Sequence, residues 1–370
     1  MFVQNASLVR QAIVDHVVTG ELRKRWNAPG AWQLEVDGDN LAVPYLAAAG
    51  ARVEVTRDGT TVMAGPVSML RRVRTPQRST IVVAGADDLG LLWERVAHPQ
   101  PGTASPPWSS TAEDVRTGVL STILRQYVNV NAAGGAVSAR QVPLLGLAAD
   151  PTLGSSTTLR GRYQALGDLV GQAATEAALR IDVTCTPASA LTFVIDAPGD
   201  RTASVQFSEG FGNLAGYDYS LSAPQATTVY VGGQGEGTAR TFRVKTDSAA
   251  ETAWRRIEGL VDRRDLSVTA ELDRAGLEAL ADMGARTGLS ITPIETESVA
   301  WPVDYQVGDL VAVVVDGGRI TDRVSEVVIT LDRSGARAAA TVGALKPAGI
   351  PSLFSRLRTL GGRLNQLERR

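Results

Sequence analysis

Turn dipeptides set between runs of alternating apolar residues constrain this chain more than any other feature. In "RVEVTRDGTTVMAG", Val53 and Val55 alternate inward, and Asp58-Gly59 supplies the positive-φ positions of a two-residue hairpin turn. The signature returns near the other end. There Asp316-Gly317-Gly318 follows "DLVAVVV", and Ser334-Gly335 interrupts "RITDRVSEVVITLDRSGARAAATVGA". Trp32, Leu34 and Val36 alternate in "WQLEVDGD", and "VSMLRRVRTPQRSTIVVAGADD" reads as another strand pair turning near Thr75-Pro76-Gln77. Segments patterned this way form small antiparallel barrels or sandwiches.

Between these ends the period changes. Residues 99–109, "PQPGTASPPWS", read as a linker. "SSTAEDVRTGVLSTILRQYV" then opens with a capping-box-like Ser110-x-x-Glu113 and sets Val115, Val119, Ile123 and Tyr127 on one helical face. "RYQALGDLVGQAATEAALR" predicts a second helix with Leu166, Leu169 and Val170 inward, followed by the strands "RIDVTCTP" and "LTFVIDAP". Strands resume at "ATTVYVGGQGEGTARTFRVKT", a helix is expected over roughly Thr269 to Ala285, and "LSITPIET" is again a strand. The expected fold is mainly β with an α/β insert: a β-domain over 1–100, the insert over 101–210, a second β-rich domain over 211–345 and a helix over 346–370. No sequence period links the two strand-rich regions.

Composition narrows the function. A net charge of -2 gives no basic bias for electrostatic capture of nucleic acid. Only Lys24, Lys245 and Lys346 are lysines among 37 basic residues. The single cysteine, Cys185, forms no internal disulfide and reads as a small buried residue, and His16 and His98 are the only histidines. A cysteine nucleophile or an imidazole metal cluster therefore has little to draw on. No stretch reaches the roughly 18 apolar residues of a membrane helix. The N-terminus lacks a signal-peptide pattern, so assembly in a cytoplasm is expected. "GGQGEG" at 232–237 leads into a strand-like run, which suits a hairpin tip rather than a phosphate cradle. "DGDN" at 37–40 lacks the calcium-loop spacing and reads as a polar hairpin turn. Asp87-Asp88 and Glu295/Glu297 are formal candidates for a carboxylate pair, but surface or capping roles suit them better. These readings name no catalytic residue, cofactor or metal, and the chain is expected not to be an enzyme.

The last eighteen residues, "LFSRLRTLGGRLNQLERR", carry Leu353, Leu357, Leu360, Leu364 and Leu367 at coiled-coil spacing. Gly361 and Gly362 interrupt the run, each costing roughly 1 kcal/mol in a helix, and so short a helix is marginal alone. The seam makes sense where something else already gathers several chain ends, although a helix packed on its own domain remains open.

The order of segments resembles the tail-tip baseplate hub proteins, or tail-associated proteins, of long-tailed phages, in particular those of actinobacterial siphophages. The shared elements are a strand pair ending in a G-x-[VI] step (Gly65-Pro66-Val67) and a strand running into G-x-D-x-x-x-L (Gly85, Asp87, Leu91). Later comes a Tyr-x-x-Gly-Asp turn launching a strand (Tyr305, Gly308, Asp309). The resemblance covers most of 20–100 and 215–345; the insert matches only in position and element order. It implies two tail-tube-like β-barrel domains per chain and a homotrimeric ring with pseudo-sixfold symmetry. That ring caps the tail tube, adapts sixfold to threefold symmetry and gates DNA passage, with the leucine seam as a trimeric coil. The implied partners are a distal tail protein or the tube above, the tape-measure C-terminus inside, and tip, fibre or spike proteins below. DNA passes the lumen without specific binding, past a weakly charged or acidic wall, and the location is the virion tail tip. Many relatives continue into extensions carrying fibre, lysozyme or peptidase modules, whereas this sequence stops at Arg370. It is expected to be either a minimal hub or a hub portion, and no catalytic residue is carried over. The alternatives are a tail-tip cell-wall-degrading enzyme with its chemistry in 110–205, and the hub of a contractile injection system.

Overall fold

The computed structural model describes residues 1–76, 79–103, 110–296 and 298–343. They divide into two compact units, one of residues 1–218 with 290–343, the other of residues 219–289. The terminal leucine seam, Glu297 and Gln77 lie outside the described residues.

The first unit begins with β1 (Phe2–Gln4), β2 (Arg10–Ile13), β3 (Val17–Arg25), β4 (Ala28–Asp37), the short α1 (Val43–Leu46), β5 (Arg52–Arg57), β6 (Thr60–Pro66), β7 (Met69–Arg74) and β8 (Ser79–Ala86). The β5–β6 turn adopts positive φ at both Asp58 and Gly59, as the dipeptide predicts. A four-stranded sheet runs β2-β1-β5-β6. "DGDN" is not a hairpin turn: Asp37 ends β4, and the Asn40 side chain accepts from the Ala42 amide, leading the chain into α1.

Next come β9 (Asp114–Val119), α2 (Leu120–Ala132), β10 (Leu145–Leu147), β11 (Ser156–Gly161), α3 (Leu166–Glu176), β12 (Arg180–Thr186) and β13 (Ala190–Asp196). The expected capping box at Ser110 does not form. Residues 114–119 pair with β11 as a strand, because Val115, Thr117 and Val119 also alternate, and β-branched residues favour the pleat. The helix starts at Leu120, Glu113 bonds Arg160 instead, and Val115 is exposed. Ile123, Tyr127, Leu166 and Val170 pack against Ile181, Val183 and Phe193 in one apolar cluster. The buried Tyr127 hydroxyl donates toward the carbonyls of Asp114 and Leu159, tying α2 to both β9 and β11.

The chain continues through β14 (Gln206–Ser208) and β15 (Leu214–Ser222). The second unit holds β16 (Thr228–Gly232), β17 (Phe242–Thr246), α4 (Ser248–Trp254), β18 (Glu258–Asp262) and α5 (Thr269–Met283). Here α5 lies on the sheet β17-β16-β18, burying Leu272 and Ala275 against Val229 and Val231. "GGQGEG" closes the β16–β17 hairpin, with Gly235 and Gly237 at positive φ.

The last strands are β19 (Arg286–Pro293), β20 (Leu310–Val315), β21 (Gly318–Asp332) and β22 (Gly335–Gly343). One large open sheet runs β15-β19-β22-β21-β3-β4-β8-β7, with β20 joined to β21 and β14. The early and late strand-rich regions therefore share one sheet, joined where β3 pairs β21 and Leu22 lies opposite Ile329. Trp32, Leu34 and Val36 are buried as expected, with Leu34 opposite Val83 and Val36 opposite Ile81. Among the described residues no helix is long and apolar enough to cross a membrane.

Candidate functional site: a buried ionic joint

Gly65 and Gly85, the glycines on which the resemblance was read, sit where β6 crosses β8. A β-carbon at Gly65 would lie 1.9 Å from the Ala86 carbonyl oxygen, and one at Gly85 would lie 2.1 Å from that of Pro66. Each glycine thus makes room for the other strand's backbone, and any side chain would push the strands apart. The Trp32 indole donates to the Ala86 carbonyl at 3.1 Å and fixes the same crossing.

Immediately after β8 the chain buries two carboxylates, so Asp87 and Asp88 are neither surface nor exposed capping residues. The Asp87 carboxylate accepts from the Gly30 amide at 3.0 Å and from Lys24 Nζ at 3.2 Å, and the same ammonium reaches Asp182 on β12 at 2.8 Å. Burial pulls the Lys24 pKa down, but Asp182 and Asp87 more than offset it and hold the ammonium charged. Asp88 pairs with Arg52 of β5. Its second oxygen has no hydrogen-bond partner, nor has Arg52 Nε. Burial pushes the Asp88 carboxyl up to about 6 against the pull of Arg52. Two residues away on β5, the fully buried Glu54 accepts from Arg10 Nε and Nη2 at 2.7 Å each, Thr61 Oγ1 at 2.7 Å and Gln4 Nε2 at 2.9 Å. Burial would raise this carboxyl, but the bonds from Arg10, Thr61 and Gln4 hold it below its ordinary value.

The late motif forms a second knot. Tyr305 is buried edge-to-face against Phe207, with ring centroids 5.4 Å apart. Gly308 turns at φ +91° and its carbonyl accepts from Arg323 Nη1 at 2.7 Å. The Asp309 carboxylate accepts from the Gly199 amide at 2.8 Å, the Gln306 amide at 3.0 Å and Arg180 Nη1 at 3.4 Å. Arg180 also grips Asp196 with two bonds.

Both knots converge on β12. Asp87 reaches it through Lys24 and Asp182, and Asp309 reaches it through Arg180. Asn27, in the β3–β4 turn, closes the same strand's start by donating to the Leu179 carbonyl and accepting from the Ile181 amide. Asn27, Arg52, Glu54, Arg180 and Asp182 carry no local signal in the sequence. Lys24 stands out there only as a rarity, and that rarity is a usable signal: a compact ammonium can serve two carboxylates where arginine's broad fork fits less well.

The remaining candidates lie apart from one another. Cys185 is half-buried on β12, its Sγ 3.8 Å from Gln4 Oε1, and burial raises its thiol pKa. His98 is buried beside Tyr163, and burial lowers its pKa. His16 sits at φ +49° between β2 and β3. Glu295 pairs with Arg57. Among the described residues no three His, Cys, Asp or Glu side chains gather as a metal site.

A family profile matches residues 1–344. The chain belongs to the Siphovirus ReqiPepy6 Gp37-like protein family. The siphophage resemblance read from the order of segments is thus met by a siphovirus family. No curated protein matches the sequence. Among solved structures, this Gp37-like chain is similar to the 43 kDa tail protein of prophage MuSo2 from Shewanella oneidensis, at 14% identity and TM-score 0.61 over 90% of this chain and 95% of that one. It is also similar to a tail protein from Neisseria meningitidis MC58, at 17% identity and TM-score 0.57 over 93% and 95% of the two chains. The prophage tail protein gp18 from Listeria monocytogenes EGD-e aligns at 11% identity and TM-score 0.52 over 98% and 99%. At such identities the likeness is one of fold.

Proposed function

We propose that the chain is a structural protein of the phage tail, the baseplate hub at the tail tip, and not an enzyme. The observation that carries this reading is the siphovirus family match over residues 1–344 joined to a fold shared nearly end to end with prophage tail proteins. In this reading three copies close into a ring. Two tube-like regions per chain give it pseudo-sixfold symmetry under a sixfold tube and threefold symmetry below. The ring caps the tube, meets a distal tail protein or the tube above, and holds the tape-measure C-terminus inside. Further tip proteins dock below, and the ring opens for DNA to pass. A net charge of -2 suits a lumen that does not grip a polyanion. Ring closure raises the local concentration of the chain ends, so that Leu353, Leu357, Leu360, Leu364 and Leu367 suffice for a short three-stranded coil. The motif residues act structurally, as the crossing and knots that keep the scaffold rigid.

The test is native mass by light scattering on a sizing column across a dilution series, for the full chain and for one lacking residues 350–370. The full chain is expected at three protomers, and the truncated chain is expected to dissociate on dilution. A strict monomer at every concentration overturns the self-closing ring. A truncated chain that stays trimeric overturns the role of the seam.

A further inference from the structure

The joint beneath β5 and β6 is short of positive charge on one side. Lys24 is shared between Asp87 and Asp182, while Asp88 has Arg52 on one oxygen and nothing on the other. Asp88 is 1% exposed and lines a cavity of about 70 Å³ with Lys24, Asp87, Asp182 and Cys185. The charged and titratable groups around it are Lys24 from β3, Arg52 and Glu54 from β5, Asp87 beside it, and Asp182 and Cys185 from β12. Strand β6 adds only Thr61, Val62, Met63 and Ala64 to the lining. Glu54 is already neutralised by Arg10. A carboxylate oxygen buried without a donor is costly, and the lowest-cost remedy is to remove its charge.

We propose that this joint is a proton-operated latch: in mild acid one solvent proton binds the free oxygen of Asp88, and the joint closes more tightly. The proton forms an O–H bond and cancels the carboxylate charge. The new hydroxyl gains a donor function, and the lining of the cavity that Asp88 shares includes the acceptors Asp87 and Asp182. Opening the joint returns Asp88 to water, where it holds its proton only near the usual aspartate range. The closed form therefore binds the proton more strongly, and by linkage acid favours closure. At neutral pH the ionised form opens more readily, separating the β5–β6 hairpin from the Asp87-Asp88 turn. Among the described residues no set of metal ligands converges here, which favours a proton over a metal ion as the missing charge.

The experiment is backbone amide exchange of the full chain, corrected for intrinsic pH effects and followed at β5 and β6. Opening should be about tenfold rarer at pH 5 than at pH 7, the ratio expected for a group titrating near 6. Asp88→Asn, which keeps the shape and fixes the side chain neutral, should remove that dependence while leaving β16–β18 exchange unchanged. In parallel, ¹³C-carboxyl NMR of wild-type chain labelled at aspartate should show Asp88 titrating near pH 6. This readout decides the matter even where the variant fails to fold. A midpoint in the ordinary aspartate range overturns the proposal. So does pH-independent opening in the wild type. A midpoint that moves when sodium is exchanged for choline at constant ionic strength also overturns it, because a metal ion then supplies the charge.

Discussion

Glu54 and Asp88 are buried in the same joint, each beside an arginine, yet their surroundings treat the two charges in opposite ways. Glu54 collects four hydrogen bonds from Arg10, Gln4 and Thr61, and its carboxyl sits below its ordinary pKa. Asp88 has one arginine and a bare oxygen, and its carboxyl is raised. At Glu54 the bonds from its donors outweigh burial, whereas at Asp88, as at the neighbouring Asp87, burial wins. The difference also sorts the joint by purpose. The saturated Glu54 holds β1, β2, β5 and β6 together, whereas the unsaturated Asp88 joins β5 to a turn that can let go.

The sharpest way to break this comparison is to remove the cation on which the acidic side depends. Lys24→Met takes the ammonium away from both the buried Asp87, which keeps the Gly30 amide, and Asp182. Breaking a buried pair from one side typically costs about 3–5 kcal/mol. Urea unfolding of the variant should lose that much, and a loss under about 1 kcal/mol would mean that the Lys24 pairs contribute little net stability. Glu54→Gln is milder. It keeps the shape and one carbonyl acceptor, and Arg10 is 40% exposed, so its guanidinium can turn to water. The expected loss is about 1–3 kcal/mol, from donors left short of an acceptor, read from the same urea midpoints.

These residues show where sequence reading stops. The hairpin turns at Asp58-Gly59 and Asp316-Gly317 and the helix near Thr269 follow local rules, and the structure has them where the patterns place them. Residues 114–119 were ambiguous because Val115, Val119, Ile123 and Tyr127 fit a helical face while Val115, Thr117 and Val119 fit a strand. Pairing with β11, forty residues on, decided it. On β5, alternation placed Val53 and Val55 inward and left Glu54 outward. Both faces are covered, so Arg52 and Glu54 are buried as well. The pairing of β3 with β21 brings Arg25 opposite Glu326, a partnership that no local pattern carries. The motif glycines were legible as residues but not as a crossing, because each one's reason is the other strand.

The smallest expected effect gives the most selective contrast, because it separates the two carboxylates by sign. Glu54 has a lowered folded-state pKa, so its contribution is present above the ordinary glutamate range and lost as pH falls through the folded value. Asp88 has a raised one, so its share of stability grows as pH falls from 7 toward 5. With a folded value near 6 that growth is about 1 kcal/mol. Urea unfolding should therefore show the wild type gaining on Asp88→Asn by about that amount between pH 7 and pH 5. Glu54 itself stays ionised over that interval, so its protonation should erode the wild type's advantage over Glu54→Gln only in stronger acid. Taking differences against each variant cancels the opposing titration of His98, whose lowered pKa costs stability as pH falls below its ordinary value. If both differences run parallel with pH, the two sites share one state of charge, and the bare oxygen of Asp88 has found a donor in solution.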